Sequence, residues 1–213
     1  MATIINGILG SFTGTAGPVS GYMRNGKNFV RSRPSKSTAP MTPKRLAQQQ
    51  KIKVCNEFTR PFCGTGFFNK TFPAYGHSGT GFNRATSAIM NLAIIGTYPD
   101  TAIDYEQVLI SKGPLPGARN ASTAVSSDGS ILFGWEDNTG TGTAKANDKV
   151  ILVAYFPETK NAFFTIGSAT RKDCQAELQT QNMHSQSAET WIGFLSNDEE
   201  DAADSTYCGR VDL

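Results

Sequence analysis

The sequence predicts a mainly β fold with a few helices (α+β). A C-terminal antiparallel, immunoglobulin-like β-sandwich follows an N-terminal glycine-rich hairpin arm and two helices. Three observations predict this fold: short apolar runs separated by turn residues in the C-terminal half, closely spaced glycines in the first 33 residues, and helix start and stop signals between these segments. We therefore divide the chain into a basic Gly-rich hairpin arm with a Pro-rich connector at 1–40, a helical and loop region at 41–100, and a β-sandwich at 101–213.

The arm contains a short-range hairpin signal. In "VSGYMRNGKNFVRS" the pair Asn25-Gly26 stands between two runs that contain aromatic and β-branched residues, which predicts a two-residue type I′ turn. Arg24 and Lys27 would then flank the turn. The stretch "RPSKSTAPMTP" that follows is rich in proline, serine and threonine, a composition typical of an extended connector.

Two helices are expected between the arm and the sandwich. Thr42 and Pro43 predict the N-cap and the first residue of a helix that continues through "KRLAQQQKIKVCNEFTR" until Arg60-Pro61 ends it. A second helix is predicted at about 84–95, before a glycine and a proline.

The sandwich is predicted from eight β-like runs. They lie at 103–111, 122–126, 130–136, 149–156, 162–167, 174–180, 190–196 and 206–213. The segments between them are rich in glycine, proline, asparagine and acidic residues, as in hairpin and sandwich connections. Seven or eight such strands are typical of an immunoglobulin-like sandwich, although no cysteine precedes Trp135 in this region, so the Cys-Trp-Cys pattern of true immunoglobulin domains is absent.

The distribution of charge points to the arm and the first helix as the functional region. Residues 1–70 contain eleven basic residues and one acidic residue, whereas residues 71–213 contain nine basic and seventeen acidic residues. Between Gly21 and Lys53 there are nine cations and no acid, namely Arg24, Lys27, Arg31, Arg33, Lys36, Lys44, Arg45, Lys51 and Lys53. These nine residues, with Asn25 and Gly26 at the turn, are the candidate contact residues.

Three interpretations of this basic segment stay open. It can dock on the acidic sandwich of a neighbouring copy, with backbone groups of the arm pairing along an exposed sheet edge. It can contact the phosphates of DNA or RNA, with Tyr22 and Phe29 as stacking surfaces. It can also be an inert, solvated tail.

The sequence offers little support for an enzyme, a metal protein or a membrane protein. No pair of carboxylates with a positioned base stands out and the chain has only two histidines, so we assign no catalytic residue. Four cysteines form no CxxC pair, and we expect neither a metal nor another cofactor. The longest apolar stretch, 88–95, is too short to span a bilayer, and no secretory signal is readable. A small-molecule or carbohydrate site at Trp135 or Trp191 is a further alternative.

Three stretches carry a resemblance to a known family. They are the opening "NGILGSFTGTAGPVSGYMRNGKNFVRSRPSKSTAPMTPKRLAQQQKI", the central "GWEDNTGTGTAKANDKVILVAYFP" and the closing "DSTYCGRVDL". Together they resemble a domain-of-unknown-function family found in Bacteroidota and their bacteriophages, with its Gly-rich start, Val-Arg-Ser-x-Pro motif, Gln-rich helix and C-terminal sandwich. The opening is also similar to small proteins of phage structural gene regions.

The resemblance implies a virion or virion-like assembly protein rather than an enzyme. With the charge pattern, it leads us to expect a non-enzymatic structural protein of a phage or phage-like particle that is made in the cytoplasm and self-assembles through its N-terminal arm. Its partners would be further copies or other virion proteins. A nucleic-acid-binding protein that uses the basic segment on phosphates is the alternative.

Overall fold

Two units follow one another along the chain, Met1–Met41 and Thr42–Leu213. The structure is a computed structural model that describes residues 2–4, 10–24, 26–35, 40–76, 78–126, 128–180 and 186–213. The unit Thr42–Leu213 holds both the helices and the sandwich, so the segments predicted at 41–100 and 101–213 lie in the same unit.

The N-terminal unit is a four-stranded antiparallel sheet with strand order β1-β2-β3-β4. Its strands are β1 (Ala2–Ile4), β2 (Phe12–Ala16), β3 (Val19–Arg24) and β4 (Lys27–Ser32). Arg24 pairs with Lys27, which confirms the predicted hairpin between β3 and β4. Gly26 has a φ of +73°, as a tight turn requires, while Asn25 lies outside the described residues. The sequence predicted this hairpin, but it did not predict β1 and β2.

Three α-helices open the second unit. They are α1 (Pro43–Thr59), α2 (Phe67–Thr71) and α3 (Gly81–Leu92). The bounds of α1 are those predicted, and the hydroxyl of Thr42 accepts a hydrogen bond from the backbone N–H of Arg45 at its start. The second predicted helix, α3, begins about three residues early because the hydroxyl of Thr80 caps it through the N–H of Asn83.

A small hairpin replaces the predicted end of the second helix and the start of the first sandwich strand. It consists of β5 (Ile94–Thr97) and β6 (Asp100–Ile103). The strand predicted at 103–111 is wrong, because the side chain of Asp104 accepts from the N–H of Glu106 and starts a 3₁₀ turn at Tyr105–Gln107. Such a local side-chain bond competes with strand pairing.

The other predicted strands form a seven-stranded sandwich. They are β7 (Arg119–Val125), β8 (Ile131–Glu136), β9 (Lys149–Phe156), β10 (Asn161–Thr170), β11 (Gln175–Leu178), β12 (Ser187–Leu195) and β13 (Thr206–Asp212). One sheet has the order β11-β8-β7 and the other β10-β9-β12-β13, with antiparallel pairing throughout. The order matches a constant-type immunoglobulin domain except that the fourth strand joins the sheet of the third strand instead of that of the fifth.

The four-stranded sheet of the sandwich is buried on both faces. Val150, Leu152 and Phe156 point into the core between the two sheets. Ile151 and Val153, at the alternate positions of β9, pack with residues of the helices. A strand that is covered on both faces needs apolar residues at consecutive positions, which explains the unbroken run "KVILVAYF". The second unit is therefore three layers deep, with helices on one sheet and a second sheet behind it.

Candidate functional site

The two faces of the N-terminal sheet differ in chemistry. Alternate residues of a strand point to opposite faces of a sheet, and the register aligns Tyr22 with Phe29 and Gly21 with Val30 on the two hairpin strands. One face thus presents mainly aromatic and basic side chains. The other presents mainly apolar ones, together with the polar Asn28 opposite Met23 and Ser32 opposite Val19. We call them the basic aromatic face (Tyr22, Arg24, Lys27, Phe29 and Arg31) and the apolar face (Val19, Gly21, Met23 and Val30).

Aromatic stacking organises the basic aromatic face. The rings of Tyr22 and Phe29 lie 5.5 Å apart between centroids, at an angle of 19°. The guanidinium carbon of Arg31 lies 5.5 Å from the centre of the Tyr22 ring, a distance typical of a cation–π contact. Tyr22 and Phe29 are each 41% exposed. The face therefore offers flat aromatic surface beside positive charge.

The apolar face is poorly covered. Val19, Met23 and Val30 are 36%, 50% and 62% exposed. Gly21 is the one position that is buried among the described residues of this unit. A Cβ at Gly21 would come within 2.3 Å of the carbonyl oxygen of Phe12 and 2.8 Å of its ring, so Phe12 lies directly over it. The rest of this face is exposed.

The positive charge of the N-terminal unit has no internal partner. Residues 1–41 contain five basic residues and no acidic residue, whereas residues 42–213 contain fifteen basic and eighteen acidic residues. Within the described ranges, no ion pair includes Arg24, Lys27, Arg31 or Arg33. The counterion of this unit must therefore come from elsewhere.

One of the predicted contact residues of the arm, Arg33, does not belong to the face. Arg33 follows the end of β4, where its backbone N–H donates to the carbonyl of Pro18. Lys36 lies outside the described residues, like Asn25. Three of the five basic residues of the arm are thus brought together on one face.

The four cations of α1 do not form a stripe. Lys44, Arg45 and Lys53 are exposed and Lys51 is half-buried. At about 100° per residue, Lys44 and Lys51 lie on one side of the helix, whereas Arg45 and Lys53 lie on others. Of the nine predicted residues, Arg24, Lys27 and Arg31 thus lie on the N-terminal sheet, and the four of α1 lie on different sides of a helix in the second unit.

A groove of about 950 Å³ lies beside α3 in the second unit. Its wall is mainly apolar and includes Phe72, Tyr75 and Leu92. Arg84 also lines it, but its guanidinium donates to the carbonyls of Phe72 and Gly79 and so holds the loop before α3. Within the described residues, Ser78 on this wall has no hydrogen bond to a basic side chain. The groove is large enough for a ligand, and among the described residues that line it we assign no catalytic pair.

Comparison with known families places the chain in one of them. A family of unknown function, DUF6266, matches residues 11–209. The chain belongs to this family. No curated protein matches it. The matched region includes β2, β3 and β4 as well as nearly all of the second unit, so the basic aromatic face and the apolar face both lie within the DUF6266 region.

Two of the four cysteines and both tryptophans of this DUF6266 chain lie in protected surroundings. Burial raises the pKa of the Cys55 thiol to about 11 and that of Cys208 to about 12, which keeps both thiols protonated and unreactive at neutral pH. The buried indoles of Trp135 and Trp191 donate to the carbonyls of Arg171 and Tyr105. Neither tryptophan offers an exposed stacking surface for a carbohydrate.

The part of the chain that the structure describes contains neither a metal-ligand cluster nor a membrane-spanning helix. No group of three or more His, Cys, Asp or Glu residues there is arranged to hold a metal ion. None of the described helices is long and apolar enough to cross a membrane.

The sequence alone did not indicate the apolar face. Val19, Met23 and Val30 are ordinary strand residues, and the hairpin pattern around Asn25-Gly26 is compatible with a covered or an open face. Period-two alternation across β3 and β4 could have assigned these residues to one face. It could not have predicted that they are exposed.

Proposed function

We propose that this DUF6266 protein is a non-enzymatic assembly protein that self-associates through the apolar face of its N-terminal sheet. The partner is a second copy of the same chain. The observation that carries the proposal is the exposure of Val19, Met23 and Val30 in a unit that has one buried position among its described residues, Gly21.

A sheet of this kind needs a surface to cover it. Small sheets become stable when they bury a hydrophobic face, and units of about 40 residues usually depend on cross-links or on association. Each Å² of apolar surface that a partner covers contributes roughly 25 cal/mol. Covering the apolar face therefore stabilises the N-terminal sheet and joins the two copies in one step.

Charge complementarity favours a second copy as the partner. The N-terminal unit has five cations and no acid, and the rest of the chain has three more acidic than basic residues. Glu136, Asp137 and Glu177 are exposed on the sandwich, and such negative charge attracts the positively charged N-terminal unit of a neighbouring copy. Lys27 and Arg31 lie on the edge strand β4, where basic residues disfavour uncontrolled edge pairing. The face rather than the edge is thus the contact.

We also infer that the assembly belongs to a phage or phage-like particle. The similarity of the opening to proteins of phage structural gene regions supports a phage or phage-like particle. Its other partners would then be virion proteins.

Substitution of the two faces tests the proposal. Val19→Thr, Met23→Thr and Val30→Thr together keep residues that favour strands but remove the apolar contact. We expect this variant to be monomeric at concentrations at which the unchanged protein is oligomeric, as measured by light scattering across a dilution series.

The matched control changes the other face of the same strands. Arg24→Gln, Lys27→Gln and Arg31→Gln should leave the oligomer in place, because these side chains lie on the face opposite to the proposed contact. A monomeric unchanged protein, or an oligomer that survives the three threonine substitutions, would show that the apolar face is not the contact.

A further inference from the structure

We propose that the basic aromatic face binds single-stranded nucleic acid, with a base stacked on the Tyr22–Phe29 pair and phosphates held by Arg24, Lys27 and Arg31. This function uses the face opposite to the assembly contact, so it does not depend on self-association.

The aromatic pair has the geometry of a stacking platform. Its rings stack on each other, at an angle of 19° and 5.5 Å apart between centroids, and residues Tyr22 and Phe29 are each 41% exposed. Sheets that bind single strands present aromatic rings in this manner, and every base has a flat face that can stack on them. The contact of Arg31 with the Tyr22 ring adds a second planar group at the same place.

The charges beside the platform require an anion that the unit does not supply. Arg24 and Lys27 are direct partners across the strands, and Arg31 lies two residues beyond Phe29 on β4. Residues 1–41 contain no acid, and among the described residues none of these three cations has an ion pair. A nucleic-acid strand supplies flat bases and phosphate charges at regular intervals, so it can contact both the aromatic rings and the cations of this face.

The arrangement favours single strands over duplexes and shows little base selection. The bases of a duplex are stacked on one another and cannot reach an aromatic platform. Cations that contact phosphates fix position without reading sequence. An acidic protein surface would use the three cations but would leave both rings without a stacking partner.

Fluorescence anisotropy of the full-length protein with a labelled thymidine oligonucleotide of about 15 nucleotides tests the inference, since single-strand sites cover roughly 4–16 nucleotides. We expect binding at low salt that weakens with a slope of about −2 in log K against log salt, from three contacts at about 0.7 each. A duplex of the same length should bind at least about tenfold more weakly, because stacking contributes about that much per base.

Variants separate stacking from charge. Tyr22→Val with Phe29→Val keeps strand-forming residues and should weaken binding by about tenfold or more without changing the salt slope. Tyr22→Phe preserves the ring and should bind like the unchanged protein. Arg24→Gln with Lys27→Gln should make the slope shallower by about 1.4, at about 0.7 for each phosphate contact, whereas Lys44→Gln with Arg45→Gln removes the same charge from α1 and should have little effect.

Three outcomes would overturn the inference. They are no anisotropy change at low salt, equal affinity for single strand and duplex, and equal losses from the Arg24/Lys27 and Lys44/Arg45 variants. If the valine variant unfolds the sheet, as trypsin cleavage of the arm would report, the Tyr22→Phe comparison and the two charge variants still decide the question. Binding of an acidic protein that is unaffected by loss of the rings would assign the face to a protein partner instead.

Discussion

Arg171 is the residue whose contacts join the loops at one end of the sandwich. It is fully buried, and its guanidinium donates to a carboxylate oxygen of Asp148 at 3.0 Å, to the side-chain oxygen of Asn138 at 2.5 Å and to the carbonyl of Pro116 at 3.1 Å. Its guanidinium carbon lies 3.8 Å from the centre of the Phe194 ring. Burial lowers the pKa of Arg171, and the charge of Asp148 acts in the opposite direction. The folded state tolerates a buried charge of this kind only because each partner offsets part of its desolvation cost.

We expect Asp148→Ala to lower the free energy of unfolding by about 3–5 kcal/mol, because it leaves the buried guanidinium without its carboxylate. Replacing both groups, with Arg171→Met and Asp148→Leu, should cost less. Urea unfolding followed by tryptophan fluorescence reports this region, since the indole of Trp135 donates to the Arg171 carbonyl. Asp212→Ala, which breaks the exposed pair with Arg210, is the control and should change little. Equal losses in Asp148→Ala and the control would refute this role for the buried pair.

A second buried carboxylate, Glu189, is held by a tyrosine. The hydroxyl of Tyr207 donates to Glu189, which is buried on β12. Burial and then the hydrogen bond and charge of Glu189 raise the pKa of Tyr207. Because the folded-state pKa is raised, the contribution of this group to stability is complete below the unfolded pKa of about 10 and is lost as the pH rises above it.

Tyr207→Phe therefore has two expected effects. At neutral pH it should lower the free energy of unfolding by about 1–3 kcal/mol, since Glu189 loses its donor. Above about pH 10 the variant should lose less stability than the unchanged protein, because it no longer contains the ionising group. Part of the alkaline loss should persist, as burial also raises the pKa of Tyr105 and Tyr155. Urea titrations at several alkaline pH values measure both effects, and an unchanged alkaline profile would contradict the assignment.

At the scale of elements, the sequence predicts those whose ends are set by local chemistry. Thr42-Pro43 and Arg60-Pro61 delimit α1, and Asn25-Gly26 predicts the β3–β4 hairpin that the register confirms. The run at Lys149–Phe156 matches β9 residue for residue because a strand buried on both faces needs consecutive apolar positions.

The elements that were missed depend on contacts distant in sequence or on single side chains. The segment 105–107 has the composition of a strand, but the Asp104 side chain turns it into a 3₁₀ turn. In the N-terminal sheet, β2 pairs with β3 and Phe12 approaches Gly21 closely, which no local pattern reveals. The candidate site was therefore only partly predictable: its charges were visible in the sequence, and its division into two faces was not.

Gly21→Val should disrupt the N-terminal sheet without affecting the second unit. Its Cβ would lie 2.3 Å from the Phe12 carbonyl oxygen, and overpacking of this kind costs about 1–3 kcal/mol or more. We expect faster trypsin cleavage in the arm, while tryptophan fluorescence of the second unit stays the same. Ser20→Val, the preceding residue on the opposite face, is the control and should be cleaved like the unchanged protein. Equal cleavage of both variants would mean that the Phe12–Gly21 contact does not hold the sheet.

At the scale of the whole molecule, the chain consists of a basic sheet with two exposed faces and an acidic second unit with two hydrophobic cores. Residues 42–213 contain a three-layer arrangement, whereas the large apolar residues Val19, Met23 and Val30 of the N-terminal unit are exposed. We propose that the second unit provides the stable core of the protein. The N-terminal sheet then binds further copies through one face and nucleic acid through the other. The two units should therefore be separable in function.

The most direct test of self-association through the N-terminal sheet is the solution mass of the full chain and of a chain that begins at Met41, measured by light scattering at matched concentrations. We expect an oligomer for the full chain and a folded monomer, with unchanged tryptophan fluorescence, for the shortened one. An oligomer of unchanged subunit number after removal of residues 1–40 would contradict it.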